Sequence, residues 1–204
     1  MKLLDLSVFI TEKMPVYPGD PHVIIKPSGN LQKDGFEDHS LIIGTHAGTH
    51  IDAPRHMIEN GKSLSDFPLS AFTGRGVVIA IEDKQFDLKK IKNANIKPGD
   101  IVFFYTGLSK IFNQPEYFEN YPAIPEEVAK YLVKKEIKIV GVDMCSVDHE
   151  IFTAHKIFLN HDILIIENLT NLAALKNKKF TVYAFPLNLA LDGSPVRVVA
   201  EIEE

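Results

Sequence analysis

The sequence contains no tryptophan and only one cysteine among its 204 residues. A single cysteine, Cys145, cannot form a disulfide bond within the chain, which fits a reducing compartment and predicts a cytoplasmic protein. Nothing around Cys145 favours a nucleophile over a small buried residue. Low-complexity tracts, internal repeats and Gly/Ser linkers are also absent, so we predict one domain spanning residues 1–204.

Long apolar runs are missing as well. Runs such as Ile163–Ile166 are far too short to cross a bilayer, and Asp5, Glu12 and Lys13 interrupt the apolar start, which argues against a signal peptide. There is no excess of positive charge, because 22 Lys and Arg face 27 Asp and Glu, for a formal net charge of −5. Neither nucleic acid nor a membrane is therefore an expected partner.

The distribution of apolar residues predicts both strands and helices. Eight runs rich in Val, Ile, Phe and Tyr predict strands at Val23–Ile25, Ser40–Gly44, Gly76–Ile81, Ile101–Tyr105, Ile137–Val142, Ile163–Ile166, Thr181–Phe185 and Val196–Ile202. The clearest helix is predicted at Pro125–Lys135, with proline at the first helical position, acidic residues in the first turn and lysines in the last. Weaker helical patterns lie at Leu88–Ile91, Glu150–Leu159 and Leu172–Leu175. Strands and helices alternate in the second half, which predicts an α/β fold with a mixed sheet.

What the sequence does contain is a dense group of histidines. His46, His50, Asp52 and His56 lie within eleven residues, and neutral imidazole and carboxylate are the ligands of metals such as zinc or manganese. In a fully extended chain the Cα atoms of His46 and His50 would lie about 13 Å apart. Gly48, which adopts positive φ readily, therefore predicts a bend between them. His50 and Asp52, two residues apart, are expected on one side of an extended segment.

We predict that His46, His50 and Asp52 bind metal, the alternative being that they are ordinary surface or core residues. His56 follows Pro54 and lies beyond this cluster, so it is predicted to transfer protons. A role in supporting the ligands is the alternative for His56.

Further candidates lie in the second half of the chain. Glu167 ends the apolar run Ile163–Ile166, where a buried carboxylate without a partner would be costly. A charge that faces water at the end of a strand is the alternative. Three histidines compete equally as a further ligand: His149, His155 and His161.

A polar cluster follows the predicted strand Ile137–Val142. Asp143, Ser146 and Asp148 are predicted to cap the helix Glu150–Leu159, since Ser and Asp side chains accept hydrogen bonds from free N–H groups. We favour this structural role over direct catalysis.

Two segments shaped by proline and glycine predict loops. Met14–Pro21 is one, and Asp192–Pro195 predicts a tight turn between the last two strands. His22 and His39 have no evident partner in the sequence and are expected at the surface or in loops.

Together these motifs resemble the cyclase family of metal-dependent hydrolases, which includes bacterial kynurenine formamidases and isatin hydrolases. The run from His46 to His56 is similar to the family signature H-x-G-T-H-x-D-x-P-x-H. Other similar segments follow in the family's order at Leu4–Ser7, Met14–Pro21, Gly141–Asp143, Ser146–Asp148, His155, Ile165–Leu169 and Asp192–Arg197. The resemblance covers nearly the whole chain and implies a swivelling β/β/α architecture with a barrel-like core.

The resemblance also implies a complete ligand set. The family motif H-x11-E-N-L matches His155 and Glu167. By that similarity His46, His50 and Asp52 bind one divalent ion, and Asp52, His155 and Glu167 bind a second, with Asp52 as the bridge. Two Zn²⁺ ions are expected, with Mn²⁺ as the alternative.

The activity implied is hydrolysis of a carbon–nitrogen bond, with His56 passing a proton to the leaving nitrogen. An arylformamidase, which converts N-formylkynurenine to kynurenine and formate, is the first expectation. The alternatives are a hydrolase of a cyclic amide or lactone such as isatin, and a non-catalytic metal-binding sensor.

Tyr17 stands where kynurenine formamidases carry a substrate-contacting tryptophan, so it is expected to bind substrate. The resemblance further implies a homodimer or homotetramer in which neighbouring subunits help to enclose the sites.

Overall fold

The structure, a computed structural model, describes residues 1–203. Within that range the chain forms eleven strands, numbered β1 to β11 in chain order: Lys2–Asp5, Ile24–Gly29, Asp38–Ile42, His50–Asp52, Thr73–Ala80, Ile101–Tyr105, Ile139–Val142, Leu164–Glu167, Phe180–Tyr183, Gly193–Pro195 and Val199–Ile202. Helices α1 to α5 span Leu31–Asp34, Leu88–Asn93, Glu116–Glu119, Glu126–Lys134 and Thr153–Leu159. Short 3-10 helices lie at Pro54–His56, Leu64–Asp66, Leu69–Phe72, Leu108–Ile111 and Leu172–Leu175.

Nine of these strands form one mixed sheet in the order β1-β11-β9-β5-β6-β7-β8-β4-β10. The neighbours β5, β6, β7 and β8 run parallel, and the pairs on either side of them are antiparallel. The remaining two strands, β2 and β3, form a separate antiparallel hairpin. The large sheet curls into a half-barrel, which confirms the predicted α/β class with a mixed sheet and a barrel-like core.

Two hydrophobic clusters bury both faces of the parallel strands. Along β6, Val102 and Phe104 pack with helices α2, α4 and α5, whereas Ile101 and Phe103 pack into the second cluster. This alternation follows from the two-residue period of a strand. The second cluster also receives side chains from β9 and β11 and from β4 near the opposite edge. Because strands near both edges of the sheet contribute side chains to the second cluster, this cluster lies on the inner face of the half-barrel.

The predicted strands all overlap observed ones, and Ile101–Tyr105 has the predicted bounds. The predicted helix Pro125–Lys135 corresponds to α4. Pro125 itself precedes the first turn, however, with an extended ψ of 147°. The segment Leu172–Leu175 is helical but of the 3-10 type. Of the helices within residues 1–203, none has the length and apolar character needed to cross a membrane.

Two local predictions are wrong. The helix predicted from Glu150 begins only at Thr153, because Ile151 and Phe152 adopt left-handed conformations with φ of 80° and 50°. The segment Asp192–Pro195, predicted as a tight turn, contains strand β10, which pairs with β4. A three-residue strand beside glycine and proline has almost no pattern of its own, so its conformation depends on a partner remote in the sequence.

Candidate metal centre

The chain bends at Gly48, between the first two histidines of the motif. Gly48 has a φ of 64°, as the sequence predicts. The bend brings the rings of His46 and His50 to a centroid distance of 5.1 Å. The Gly48 carbonyl also accepts a hydrogen bond from Nδ1 of His50 at 2.8 Å. This turn therefore both gathers the two rings and fixes the orientation of one of them.

Strand β4 carries His50 and Asp52 on one face and Ile51 on the other. Ile51 is fully buried in the cluster inside the sheet, so strand alternation directs both polar side chains to the opposite side. The neighbouring strand β8 places Glu167 in register with His50. Nε2 of His50 lies 3.4 Å from Oδ1 of Asp52 and 3.5 Å from Oε2 of Glu167. Strand pairing thus brings a histidine and two carboxylates together.

Helix α5 supplies the third histidine of the cluster. Asp148 caps this helix, since its Oδ2 accepts a hydrogen bond from the Ala154 amide at 2.5 Å. Oδ1 of Asp148 lies 2.5 Å from Nδ1 of His155. Nε2 of His155 lies 3.3 Å from Oε1 of Glu167. Asp148 therefore has the predicted capping role and also orients His155.

Glu167 is only 5% exposed, so the alternative of a strand-end charge facing water is wrong. Its Oε1 accepts a hydrogen bond from the amide of Val147 at 2.9 Å. The competing histidines lie elsewhere: His149 packs on the ring of Tyr121 at 4.3 Å, and His161 is exposed after α5. His22 and His39 are exposed, as expected.

The five predicted ligands form two groups that share Asp52. One consists of His46, His50 and Asp52, and the other of Asp52, His155 and Glu167. Within each group the ligand atoms lie within 4.8 Å of one another. The structure therefore brings these residues together in the two sets that the resemblance implies, while metal binding itself stays a prediction.

The donor set fits a divalent metal ion. Each of the three histidines turns one ring nitrogen towards Asp52 or Glu167, and its other nitrogen is held by a fixed partner. These partners are Asp192 for His46, the Gly48 carbonyl for His50 and Asp148 for His155. Partners of this kind fix the orientation and tautomer of metal-binding histidines. Nitrogen and carboxylate donors suit zinc or manganese.

The charge balance of the cluster also favours a bound cation. Among the ion pairs of residues 1–203, Asp52 and Glu167 are paired only with histidines. Burial by itself lowers the pKa of an imidazole, but the carboxylates of Asp52 and Asp192 together outweigh burial and raise the pKa of His46 to about 10. Burial favours the neutral form of Asp52 too, yet His50 and His46 hold the pKa of that carboxyl below its ordinary value. The site therefore stabilises positive charge beside its carboxylates, which is what a metal ion supplies.

Asp192, predicted from the sequence to lie in a tight turn, is also a residue of the site. Its Oδ2 lies 2.8 Å from Nε2 of His46 and 3.6 Å from Nδ1 of His56. His46, His56 and Asp192 also form a third group whose donor atoms lie within 4.8 Å. The sequence feature that could have placed Asp192 in the site was the resemblance of the segment Asp192–Arg197 to the family.

His56 stands beside the ligand groups, with its ring 4.0 Å from that of His46 and 6.1 Å from that of His155. Burial lowers the pKa of His56, and the nearby Asp52 carboxylate offsets this only in part. His56 is therefore neutral near pH 7 and able to accept a proton, which suits the predicted transfer role.

A cavity of about 310 Å³ opens above the cluster. Its polar end includes His50, His56, His155 and Glu167. Its remaining wall is mostly apolar and is lined by Pro15, Val16, Tyr17, Met57, Phe118 and Phe152, among others. Tyr17 is 39% exposed and contacts the ring of Phe118 edge-on at 6.4 Å. The structure thus brings Tyr17 to the same cavity as the predicted ligands.

Two residues of the polar cluster after β7 do not cap α5, contrary to prediction. Asp143 instead accepts hydrogen bonds from the amides of Thr106 and Gly107, at 2.7 and 2.8 Å. Ser146 lines the cavity. The neighbouring Cys145 is buried, and burial raises the pKa of its thiol to about 12, in agreement with a small buried residue.

Comparison with known proteins identifies the family. The model of the Cyclase family matches residues 4–149. An uncharacterised protein of Methanocaldococcus jannaschii is 38% identical over 98% of this chain and 99% of its own length. A kynurenine formamidase of Geobacillus thermodenitrificans is 31% identical over 95% of this chain and 94% of its own length. The chain therefore belongs to the cyclase family and is a hydrolase.

Solved structures share the whole fold. One described as a potential metal-dependent hydrolase with cyclase activity is 29% identical, with a TM-score of 0.84 over 100% of this chain and 98% of its own. Isatin hydrolase A from Labrenzia aggregata, bound to benzyl benzoate, has a TM-score of 0.89 over 100% of this chain and 94% of its own, at 24% identity. The second likeness shows a shared fold.

Proposed function

We propose that this protein is a metal-dependent amidohydrolase that cleaves the carbon–nitrogen bond of an aryl formamide. The observation that carries the proposal is the pair of ligand groups sharing Asp52 at the base of a cavity with one polar end and one apolar wall. The kynurenine formamidase and metal-dependent hydrolase relatives support it. These groups would hold a divalent ion, which would supply Lewis acidity towards the substrate carbonyl and lower the pKa of water.

The residues of the chain supply orientation and proton transfer. Asp192, Gly48 and Asp148 hold the histidine rings in place, so little reorganisation is needed when substrate binds. His56 is neutral at physiological pH because burial lowers its pKa. It accepts a proton as water attacks the carbonyl, and donates that proton to the leaving nitrogen.

The proposed first substrate is N-formylkynurenine, and the products are kynurenine and formate. The 31% identical kynurenine formamidase supports this choice. The apolar wall that includes Tyr17, Phe118 and Phe152 suits an aromatic amide.

A neutral cyclic amide such as isatin is the second candidate. Among the described residues that line the cavity, none is lysine or arginine. The side chain of formylkynurenine ends in an amino-acid carboxylate, for which the described lining offers no lysine or arginine partner. A neutral cyclic amide needs no cationic partner, and isatin is therefore retained as a candidate substrate.

A substrate panel tests the proposal. The protein loaded with Zn²⁺ or Mn²⁺ is assayed on N-formylkynurenine, on isatin and on a simple lactone. We expect hydrolysis of at least one amide, loss of that activity on chelation, and recovery when metal is restored. Stoichiometric metal binding without turnover on any member of the panel would instead favour a non-catalytic sensor.

Tyr17 provides a test of the substrate. If formylkynurenine is the substrate, Tyr17→Trp should hold or raise kcat/KM, and Tyr17→Ala should lower it about tenfold, a reasonable size for one aromatic contact. Should Tyr17→Ala leave every substrate of the panel unaffected, Tyr17 has only a structural role in its loop.

A further inference from the structure

The turn before helix α5 is strained in a way that burial does not explain. Ile151 and Phe152 are consecutive residues with φ of 80° and 50°. Positive φ is rare for a β-branched residue, and such positions persist only when the surrounding structure imposes them. Ile151 is 79% exposed, so its own side chain gains almost no burial in return.

Contacts on both sides hold this turn in place. The amide of Phe152 donates a hydrogen bond to the His149 carbonyl at 2.8 Å, and Nζ of Lys156 donates to the Ile151 carbonyl at 2.9 Å. Immediately beyond it, Asp148 caps α5 through the Ala154 amide. The position of Phe152 is therefore set by hydrogen bonds to the backbone on both sides of it.

The result of this turn is that the ring of Phe152 lies in the wall of the cavity, beside a predicted metal ligand. The rings of Phe152 and His155 are perpendicular, with their centroids 5.7 Å apart. Because His155 belongs to the polar end of the cavity and Phe152 lies beside it, the ring of Phe152 is within reach of the substituent of an amide bound at that end.

We propose that Phe152 is a specificity-determining residue, whose ring forms the surface on which the planar aryl group of the substrate rests. The inference builds on the proposed amidohydrolase function and assigns to Phe152 the preference for a flat ring directly on the amide. Aromatic rings gain from offset or edge-to-face contact with each other. A puckered saturated ring of similar size has no such contact.

The test compares formanilide with N-cyclohexylformamide, which differ in the planarity of the ring. The metal-loaded wild type is compared with Phe152→Leu and Phe152→Ala, and with Phe36→Leu, an exposed phenylalanine outside the cavity lining. For Phe152→Leu we expect KM for formanilide to rise about tenfold with kcat little changed. The kinetics of N-cyclohexylformamide should stay within about twofold, metal content should stay at the wild-type level, and Phe36→Leu should match the wild type.

Equal losses on both substrates, or loss of metal, would show that Phe152 only packs against His155 and would overturn the proposal. If the wild type hydrolyses neither formamide, the binding of benzamide and cyclohexanecarboxamide to the metal-loaded protein is measured by calorimetry. Benzamide binding that is preferred by the wild type and lost in Phe152→Leu would support the role of the ring. Absence of that preference would overturn it. Turnover thus tests the hydrolase function, and the planar preference tests Phe152.

Discussion

At the scale of single residues, the candidate centre depends on side chains that each contact two other polar groups of the site. Asp52 faces both His46 and His50 and belongs to both ligand groups. It is 1% exposed, so water cannot replace a lost partner. A substitution in this cluster is therefore expected to affect metal content as well as activity.

Asp52→Ala should lose metal from both positions, because Asp52 is the one residue common to the two groups. Elemental analysis of the purified protein measures this directly, with Asp162→Ala, at the exposed Lys62–Asp162 ion pair, as the control. Full metal content in Asp52→Ala would show that it is not the bridge.

His56→Ala should keep its metal while turnover falls by about 10²–10⁴-fold, the usual contribution of a proton-transfer group. Metal content and steady-state kinetics are measured on the same preparation. If metal is lost, His56 is instead a ligand in the group with His46 and Asp192.

Gly193→Ala should weaken metal binding although it replaces none of the predicted ligands. A Cβ at this position would lie 2.8 Å from Cε1 of His46 and 3.1 Å from the Ile51 carbonyl oxygen, so the ring must move. We expect metal affinity to fall by about 10–100-fold, as for other changes that misorient a ligand. Gly44→Ala is the control, because the nearest atom there would be 3.4 Å away. Unchanged affinity in Gly193→Ala would mean that the His46 ring tolerates displacement.

At the scale of elements, strand β4 and helix α5 bring the two halves of the centre together. Strand β4 is only three residues long but lies between β8 and β10. Its neighbours supply Glu167 on one side and Gly193, next to Asp192, on the other. Helix α5 is held by the carboxylate of Asp148, which also contacts His155.

Asp148→Ala should lower both stability and metal affinity, since it removes a helix cap and the partner of His155. We expect a loss of about 1–3 kcal/mol in the unfolding free energy of the metal-free protein, measured in urea. Asp148→Asn retains a capping oxygen without the charge, so its stability should lie closer to the wild type. If Asp148→Ala unfolds at the wild-type urea concentration, its hydrogen bonds contribute little.

At the scale of the whole molecule, the β2–β3 hairpin leaves apolar side chains uncovered. All five residues of β3 are exposed, and Ile24, Leu41 and Ile42 of the hairpin are 38%, 53% and 55% exposed. A two-stranded hairpin is marginally stable alone, and clustered exposed apolar groups mark interaction surfaces.

We therefore expect at least a homodimer whose interface lies close to Tyr17, as two-fold oligomers are the commonest kind. Light scattering should give a mass at least twice the 22.9 kDa of one chain. Leu41→Glu should shift the mass towards the monomer. A wild-type monomer that is fully active at nanomolar concentration would contradict a pocket shared between subunits.

Much of the fold and of the site was predictable from local sequence. The strand Ile101–Tyr105 has the predicted bounds because it is a short apolar run, buried on both faces, that needs no distant partner to be recognised. The bend at Gly48 follows from the freedom of glycine at positive φ. The shared face of His50 and Asp52 follows from the period of a strand.

Other features were decided only by tertiary structure. Asp192 reaches His46 because β10 pairs with β4, and no local pattern encodes a pairing between segments so distant in the chain. Ile151 and Phe152 are held in left-handed conformations by contacts with their surroundings, against the intrinsic preference of both residues. The sequence by itself determined the ligand types and the strands that carry them. The register of the sheet and the packing of α5 decided which carboxylate lies beside which histidine, because these distances depend on elements meeting in space.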